Sequence, residues 1–285
     1  MSTPSIDALE FDAAAAPAAI VGALRDHGCA LVRGLLPAPP LRTLFHRAAK
    51  NFAALDSAGL RGTEWVTDVD VGFVDETQGR VSLEDRDGMV LPTTVWSACA
   101  PGFYADNPTL FDHSVFRFLE GTHLSPILSA VFGGSFSFAY DASRVRRHSG
   151  LACDNRLHLH QDAASADYGP HQIVTAWIPL CPCGDTAPGL QVYPGKMIEL
   201  LPRKQTRWFI DDRHLGAVRE ALWRPVFAVG DVFLFDAHTV HGTYVTEEMP
   251  DLRISIDVRA HAPGRPPRFM DGKPAYRVIP ATVAA

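Results

Sequence analysis

The segment "LHLHQD" (157–162) places three metal-binding side chains at alternate positions: His158, His160 and Asp162. On a β-strand, residues two apart face the same side, so neighbouring pairs of these side chains can approach one ion. His158 with His160 would form a pair of imidazole ligands, whereas His160 with Asp162 would combine an imidazole with a carboxylate. The sequence therefore predicts a metal site here, and both pairs are compatible with this segment alone.

A third histidine follows 81 residues after His160, in the segment "GDVFLFDAHTVHGTY" (230–244). This segment predicts a turn and an apolar strand, with His241 beyond the far end of the strand. A further strand, "RISIDVR" (253–259), alternates between a polar face and an apolar face. Pairing of these strands in a sheet would bring His241 and Arg253 to the metal site.

Two histidines and one carboxylate leave three positions of an ion open, which is the pattern of the non-heme Fe(II) oxygenases. Three open positions suit a 2-oxo acid, which binds through two atoms, together with O₂. 2-Oxoglutarate also carries a second carboxylate, and an arginine can hold such a group through two parallel hydrogen bonds. Arg253 is the natural candidate, and Arg259 on the same face is the second choice.

The rest of the chain predicts a β-rich core with helices in front of it. Helical spacing or helix stop signals occur at 13–27, 41–55, 108–121 and 125–134. Runs rich in β-branched and aromatic residues, separated by Gly, Pro and Asp turns, predict strands at 29–36, 135–147, 155–162, 171–180, 189–195, 224–229, 230–245 and 253–262. Short strands at such spacing are typical of a barrel or a double-sheet jelly roll.

We therefore expect a mostly β fold with flanking helices, built on a double-stranded β-helix (jelly-roll, cupin-like) core. The prediction is a single domain, residues 1–285, with a helical N-terminal part at about 1–134 and the jelly-roll core at about 135–265.

Composition narrows the class of protein further. Hydrophobic residues make up 47% of the 285 residues, charged residues 20%, and the net charge is −6, as in a globular protein with a sizeable core. No block of Lys and Arg occurs, so we expect no nucleic-acid partner. No apolar run is long enough for a membrane span, and the N-terminal segment lacks the features of a signal peptide. Five cysteines without a CxxC pair favour a reducing, cytoplasmic location over a disulfide framework.

Several segments together resemble the phytanoyl-CoA dioxygenase (PhyH-like) family of Fe(II)/2-oxoglutarate-dependent oxygenases: "HLHQD", "HQIVTAWIPL", "APGLQVYPG", "GDVFLFDAHTVHG" and "RIS". The N-terminal "LRDHGCALVRGLLPAPPLRTLFHRA" resembles the opening of the family, so the resemblance covers nearly the whole chain apart from about 56–102. The resemblance implies that iron is bound by His160, Asp162 and His241. It also implies that Arg253 binds the 2-oxoglutarate tail and that Thr243 donates a hydrogen bond beside it.

The resemblance suggests further residues around the cosubstrate and the substrate. Trp177, seventeen residues after His160, matches a tryptophan that lines the cosubstrate pocket of the family. A polar or basic residue on the strand before the metal motif often assists. Arg144, Arg146 and Arg147 are all available for this role, and Arg147 is the one assigned to 2-oxoglutarate. The residues assigned to the substrate are His158, Arg144, Arg146 and His171.

Two positions depart from the family pattern. Pro194-Gly195 is commonly followed by Ser-His in the family, whereas this chain continues with Lys196-Met197. The spacing from His241 to Arg253 is also one residue longer than usual.

The implied activity is an Fe(II)/2-oxoglutarate-dependent dioxygenase that consumes O₂ and hydroxylates an unactivated C–H bond of a small-molecule metabolite. The reaction would release succinate and CO₂. Halogenating relatives have a small residue in place of the carboxylate ligand, so Asp162 favours hydroxylation; desaturation or ring formation are further possibilities.

Two alternatives come from other classes of protein. One is a cupin-type metalloenzyme with a three-histidine site formed by His158, His160 and His241, although no glutamate follows the pair at the cupin distance. The other is a non-catalytic binding module on the same fold.

Overall fold

The computed structural model of the chain describes residues 5–57, 113–139, 143–149, 159–165, 173–203, 209–265 and 279. Its helices are α1 (Pro17–His27), α2 (Ala38–Ser57), α3 (His113–Glu120), α4 (Leu124–Phe132), α5 (Asp162–Ser165) and α6 (Gly216–Glu220). Its strands are β1 (Glu10–Asp12), β2 (Cys29–Arg33), β3 (Ser137–Phe138), β4 (Arg144–Ser149), β5 (Ile173–Pro179), β6 (Gly189–Val192), β7 (Val232–Asp236), β8 (His241–Tyr244) and β9 (Leu252–His261).

The strands form one seven-stranded sheet and one two-stranded sheet. The large sheet has the order β1-β2-β7-β5-β9-β3, with β4 also paired to β9, and the small sheet is β6-β8. Strands β1 and β2 are parallel, and the other pairs are antiparallel. Helix α1 packs against β2 and β7, and α2 packs against β9. The expectation of a mostly β fold with flanking helices is confirmed. None of the helices among these residues is both long enough and apolar enough to cross a membrane.

The N-terminal elements match their predicted types but not all of their predicted ends. Helix α1 begins at Pro17 because Asp12 first closes a turn, in which its side chain accepts a hydrogen bond from the Ala14 amide at 2.8 Å. The helix ends at Gly28, whose φ of 82° is left-handed. Strand β2 ends at Arg33, three residues earlier than predicted, because the following Gly34 turns the chain with a φ of 59°.

The predicted strand 224–229 is not a strand in the structure, and neither are the described residues 159–162 of the predicted strand 155–162. In the segment 224–229, Phe227 alone forms a β-bridge, exchanging backbone hydrogen bonds of 2.8 and 3.2 Å with Cys183. Proline at 225 has no N–H with which to continue a ladder. The metal motif is described from residue 159 onward, where His160 forms an isolated bridge and Asp162 begins α5. The alternation of a regular strand therefore does not bring these two residues together.

Strand β9, which pairs with β3, β4 and β5, has a buried polar face. Its polar residues are Arg253, Ser255, Asp257 and Arg259, as the alternation of the sequence predicts. On β5, Trp177 pairs with Asp257 and Thr175 pairs with Arg259; on β4, the partner of Arg253 is His148. Directly paired residues of antiparallel strands lie on the same side of the sheet, so these side chains share this face.

Candidate metal centre

A backbone bridge brings the two predicted histidine ligands together. The His160 amide donates to the His241 carbonyl at 2.9 Å, and the His241 amide donates to the His160 carbonyl at 3.0 Å. The two imidazole rings lie side by side, with 4.2 Å between their centroids. The backbone of the chain thus positions both rings side by side.

Asp162 completes a group of three ligand side chains. The next residue, Ala163, donates its amide to the Ala237 carbonyl at 2.8 Å, which ties the first turn of α5 to the loop before His241. Asp162 Oδ1 lies 3.7 Å from His160 Nε2 and 3.8 Å from His241 Nε2. Among the described residues, these three are the group that could hold a metal ion, with ligand atoms within 4.8 Å of one another.

The geometry fits a transition-metal ion. Nitrogen and oxygen ligands bind such ions at about 2.0–2.2 Å, so two of them lie less than about 4.4 Å apart. Both distances from Asp162 Oδ1 meet this limit. His241 Nδ1 lies 2.9 Å from the Thr239 carbonyl, to which it donates its proton, leaving the Nε2 lone pair on the side of the carboxylate. Burial lowers the pKa of His241 despite the nearby Asp162 carboxylate, which favours the neutral imidazole that a metal requires.

The other oxygen of Asp162 is occupied by hydrogen bonds within the protein. Arg259 donates to Oδ2 from Nη2 at 2.8 Å and from Nε at 3.1 Å. The hydroxyl of Thr175 donates to the same oxygen at 3.3 Å. Burial alone would raise the pKa of Asp162, but the neighbouring charge of Arg259 outweighs it and holds the pKa well below its ordinary value. The carboxylate is therefore ionised, and Oδ1 is the oxygen that faces the imidazoles.

A second polar cluster surrounds Arg253, whose residue surface is only 2% exposed. Its Nη1 donates to the carbonyls of Gly189 at 2.7 Å and Pro188 at 3.3 Å, and its Nη2 lies 2.6 Å from His148 Nδ1. The guanidinium carbon lies 5.4 Å from the centre of the Trp177 ring. The structure thus brings together Trp177 and Arg253, which the family resemblance assigns to the cosubstrate.

His148 connects Arg253 to the strand that carries a metal ligand. Burial, followed by the charges of Arg253 and Arg146, lowers the pKa of His148 well below its ordinary value, so the ring is neutral. Its Nδ1 accepts from Arg253, and its Nε2 lies 3.4 Å from the Thr243 hydroxyl. Thr243 is two residues after His241 on β8 and therefore lies on the same side of that strand.

Arg253 is a buried cation whose hydrogen-bond partners are neutral. Its contacts are two carbonyls and an imidazole, and its Nε has no hydrogen-bond partner among the described residues. A buried guanidinium remains charged, and leaving its donors unused is costly. This arrangement favours an anionic ligand beside Arg253.

The basic residues predicted on β4 are divided between its two faces. Arg146 pairs with Ser255 and donates to the Asp257 carboxylate at 2.5 Å, on the face that carries His148. Arg147 pairs with Ile254 and so lies on the opposite face from Arg253. The assignment of Arg147 to 2-oxoglutarate is therefore not favoured, and His148 is the residue of this strand that contacts Arg253.

Three predicted substrate residues have no described side chain. His158 and His171 lie outside the described residues. Arg144 is described only in its backbone, which pairs with Asp257.

Gln161, between the two metal-motif residues, was not singled out from the sequence. Its side chain is fully buried and donates from Nε2 to the carbonyls of His238 at 2.8 Å and Glu199 at 3.0 Å. Its Oε1 accepts from the Leu201 amide at 2.8 Å. The residue thus joins the metal motif to the segment 199–201 and to the loop that precedes His241.

Lys196, which departs from the family pattern, has a structural partner. Its ammonium group forms an ion pair with Asp236, at the end of β7, and lies 3.4 Å from the Leu24 carbonyl of α1. Asp236 Oδ1 in turn accepts from the Thr239 hydroxyl at 2.9 Å. The carbonyl of Thr239 accepts from His241, so Lys196 supports the turn that orients a ligand histidine.

Comparison with known proteins identifies the class. The sequence profile of the family described as phytanoyl-CoA dioxygenase (PhyH) matches residues 24–246. The chain belongs to this family. No curated protein matches the chain in sequence.

Solved structures share the fold at low sequence identity. EctD from S. alaskensis with bound Fe is 14% identical, with a TM-score of 0.57, and the match covers 88% of this chain and 79% of that chain. For the non-heme alpha ketoglutarate dependent epimerase SnoN from nogalamycin biosynthesis, the identity is 15%, the TM-score 0.54 and the coverage 86% and 80%. The carbocyclase SnoK from the same biosynthesis is 13% identical with a TM-score of 0.53, and the match covers 85% of this chain and 82% of that chain. These similarities confirm the jelly-roll, cupin-like fold of the dioxygenases.

Further structures of two of these proteins contain the cosubstrate: EctD with 2-oxoglutarate and 5-hydroxyectoine, and SnoN with Fe³⁺ and alpha ketoglutarate. Together with the His160, Asp162 and His241 group, the family indicates an oxygenase of the Fe/2-oxoglutarate type.

Proposed function

We propose that this protein is an Fe(II)- and 2-oxoglutarate-dependent dioxygenase that hydroxylates an unactivated C–H bond of a small-molecule metabolite. The observation that carries the proposal is the orientation of the Asp162 carboxylate. Its Oδ1 faces the Nε2 atoms of His160 and His241 at 3.7 and 3.8 Å, while its Oδ2 is taken up by Arg259 and Thr175. Two imidazoles and one carboxylate oxygen are the donor set of non-heme Fe(II) oxygenases.

Iron would be held by His160, Asp162 and His241. When bound with 2-oxoglutarate and O₂, it supplies the oxidant for the C–H bond, and the cosubstrate is released as succinate and CO₂. The protein contributes the neutral tautomer of His241, fixed by Thr239, and the ionised carboxylate of Asp162, fixed by Arg259. Both ligand groups are therefore oriented in advance, which lowers the entropic cost of binding the metal ion.

The Arg253 cluster is suited to the far carboxylate of 2-oxoglutarate. Its guanidinium is buried, has only neutral hydrogen-bond partners and lies beside Trp177. Thr243 would donate a hydrogen bond beside it, since the His148 ring places the Thr243 hydroxyl near Arg253. Because Thr243 and His241 lie on one side of β8, a small dianion could reach from the metal to Arg253 along this strand.

The surroundings of the metal motif suggest from which side the substrate approaches. The His160 side chain is 17% exposed, whereas those of Asp162 and His241 are 3% and 7% exposed. The ring of Phe235, itself buried, packs 4.4 Å from that of His241, so the buried side of the metal site is apolar. We infer that the substrate approaches from the side of His160.

Hydroxylation is the preferred reaction because the carboxylate ligand is present. A small residue at this position would leave room for a halide, as the resemblance to halogenating members of the family implies. SnoN and SnoK are named as an epimerase and a carbocyclase, so reactions other than hydroxylation occur on this fold.

An assay of cosubstrate turnover tests the proposal. Protein purified without oxygen is supplied with Fe(II), 2-oxoglutarate and then air, and succinate is measured with and without members of a metabolite library. We expect slow succinate formation alone, faster formation with a substrate, and a product heavier by one oxygen atom. Succinate formation that persists unchanged in Asp162→Ala would contradict the proposed function.

A further inference from the structure

We propose that Arg259, together with Thr175, restricts Asp162 to metal coordination through Oδ1 alone and so preserves the coordination positions that the cosubstrates need. The sequence suggested Arg259 only as a second choice for the 2-oxoglutarate tail. This inference rests on the proposed function of the same site and assigns Arg259 a positioning role instead.

The contacts come from two neighbouring strands of the large sheet. Thr175 on β5 and Arg259 on β9 are register partners, and both side chains lie on the face that looks toward Asp162. The distances to Oδ2 are 2.8 and 3.1 Å from Arg259 and 3.3 Å from Thr175. A carboxylate oxygen has two lone pairs, so these three donors leave Oδ2 with no free lone pair for a metal ion.

The backbone of Arg259 is itself fixed. Its amide donates to the Ser143 hydroxyl at 3.2 Å, and its carbonyl accepts from the Ala139 amide at 2.7 Å. The guanidinium therefore extends from an anchored position and donates two hydrogen bonds to Asp162 Oδ2. Its planar fork of donors is suited to this role, whereas a lysine would offer one compact charge.

The consequence follows from counting ligand positions. A carboxylate can bind a metal ion through one oxygen or through both. With one oxygen and two imidazoles, three positions of a six-coordinate ion stay open, enough for a chelating 2-oxo acid and for O₂. If both oxygens bind, only two positions stay open, and the chelating acid would fill both and leave none for O₂. Hydrogen bonds to Oδ2 prevent this second arrangement.

The test compares the full-length wild type with Arg259→Gln under anaerobic conditions. The first measurement is the Fe(II) dissociation constant, obtained by competition with a coloured chelator. Loss of a hydrogen-bonded partner of a metal ligand typically weakens binding by about 10- to 100-fold, and we expect an increase of this size. The second measurement is the visible charge-transfer absorbance that chelating 2-oxoglutarate produces at saturating Fe(II). We expect Arg259→Gln to form this absorbance but to lose it much more slowly than the wild type when air is admitted, because the chelating acid leaves no position for O₂.

Arg33→Gln is the matched control. Arg33 forms an ion pair with Asp231 at 2.8 Å, on elements that do not contribute to the metal site, so its substitution also breaks an internal arginine–carboxylate pair. Both Fe(II) affinity and the rate at which the absorbance decays in air should remain as in the wild type. Arg259→Lys should give values between those of Arg259→Gln and the wild type.

Thr175→Val provides an independent variant, because it keeps the shape of the side chain and removes one hydrogen bond to Oδ2. Thr175→Val should show smaller changes in Fe(II) affinity and in the decay of the absorbance. If Arg259→Gln does not fold, Thr175→Val is the variant that tests the inference. A folded Arg259→Gln with wild-type Fe(II) affinity and a wild-type rate of absorbance decay in air would overturn the inference. If Thr175→Val carries the test, the same two results in that variant would overturn it. A wild type that itself shows neither Fe(II) binding nor the absorbance would instead overturn the proposed function.

Discussion

His160 and His241, which are 81 residues apart in the sequence, exchange both of their backbone hydrogen bonds, at 2.9 and 3.0 Å. The bridge lies outside the regular strands and joins the metal motif directly to the start of β8. These backbone hydrogen bonds hold the two imidazoles side by side. The fold therefore positions these two ligand residues.

The first prediction concerns metal binding and stability. A ligand that binds only the folded state raises the free energy of unfolding, by about 2.7 kcal/mol at a concentration 100 times its dissociation constant. Chelator-treated protein should therefore keep its far-UV circular dichroism spectrum, and added Fe(II) or Mn(II) should raise its Tm. Asp162→Asn, which keeps the shape of the side chain but loses its charge, should show little or no rise. A loss of secondary structure on chelation would contradict a preformed site.

The second prediction concerns the buried guanidinium of Arg253. Removing one partner of a buried, hydrogen-bonded charge pair costs about 2–5 kcal/mol, so Arg253→Gln should raise the Kd of 2-oxoglutarate at least about 30-fold. Fe(II) affinity should be retained, since none of the metal ligands is hydrogen-bonded to Arg253 in the contacts described. Isothermal titration of the Mn(II)-loaded protein measures both constants. Arg219→Gln, which removes a surface arginine paired with Asp212, is the control and should match the wild type.

The third prediction concerns His148, which links Arg253 to Thr243. His148→Phe retains an aromatic ring but removes the acceptor for Arg253 and the donor to Thr243. The loss of a hydrogen bond to a charged group is worth about 1.5–3 kcal/mol, so the Kd of 2-oxoglutarate should rise about tenfold or more. Arg147→Gln, on the opposite face of the same strand, should leave this constant unchanged. Equal effects of the two substitutions would mean that the strand acts only through its packing.

The fourth prediction concerns Gln161, whose three hydrogen bonds connect the metal motif to two loops. Gln161→Leu leaves the Leu201 amide and the His238 carbonyl without their side-chain partner, at a cost of about 1–3 kcal/mol for each buried group. The free energy of unfolding, measured in urea, should fall by a similar amount. Gln161→Glu should be at least as destabilising, because a carboxylate would face two carbonyls. A variant as stable as the wild type would show that the loops are held by other contacts.

The fifth prediction concerns stability at high pH. Burial raises the pKa of Cys29 and of Cys183 to about 12 from the ordinary value of 9.0. Between these values the unfolded chain loses the thiol protons while the folded chain keeps them, so the free energy of unfolding must decrease as the pH rises. The slope approaches about 1.4 kcal/mol per pH unit for each thiol. Urea unfolding at pH 8, 9 and 10 should show this decrease, and the double variant Cys29→Ala/Cys183→Ala should show less of it.

The metal ligands could be predicted from the sequence because several segments together resemble one family. The segment 157–162 alone left the pair His158 with His160 as open as the pair His160 with Asp162. The alternation of polar and apolar residues also placed Arg253 and Arg259 correctly on one face of β9. The pairing of His160 with Asp162 was predicted for the wrong local reason, since an isolated bridge and a helix start bring them together instead of a regular strand.

The partners of these residues could not be predicted in the same way. A shift of one residue in strand register moves every side chain to the other face, so "RVRRH" alone does not tell whether Arg147 or His148 faces Arg253. The meeting of Thr175 and Arg259 on one carboxylate oxygen depends on the register of β5 against β9. The contacts of Gln161 are with backbone groups of distant loops, for which a single sequence gives no signal.

The most direct test of the central claim is the binding of 2-oxoglutarate to the Fe(II)-loaded protein without oxygen, followed by visible charge-transfer absorbance. The proposed site predicts a saturable absorbance with one 2-oxoglutarate per chain, absent in Asp162→Ala and shifted to much higher 2-oxoglutarate concentration in Arg253→Gln. No absorbance from the wild type, or an absorbance that Asp162→Ala leaves unchanged, would contradict it.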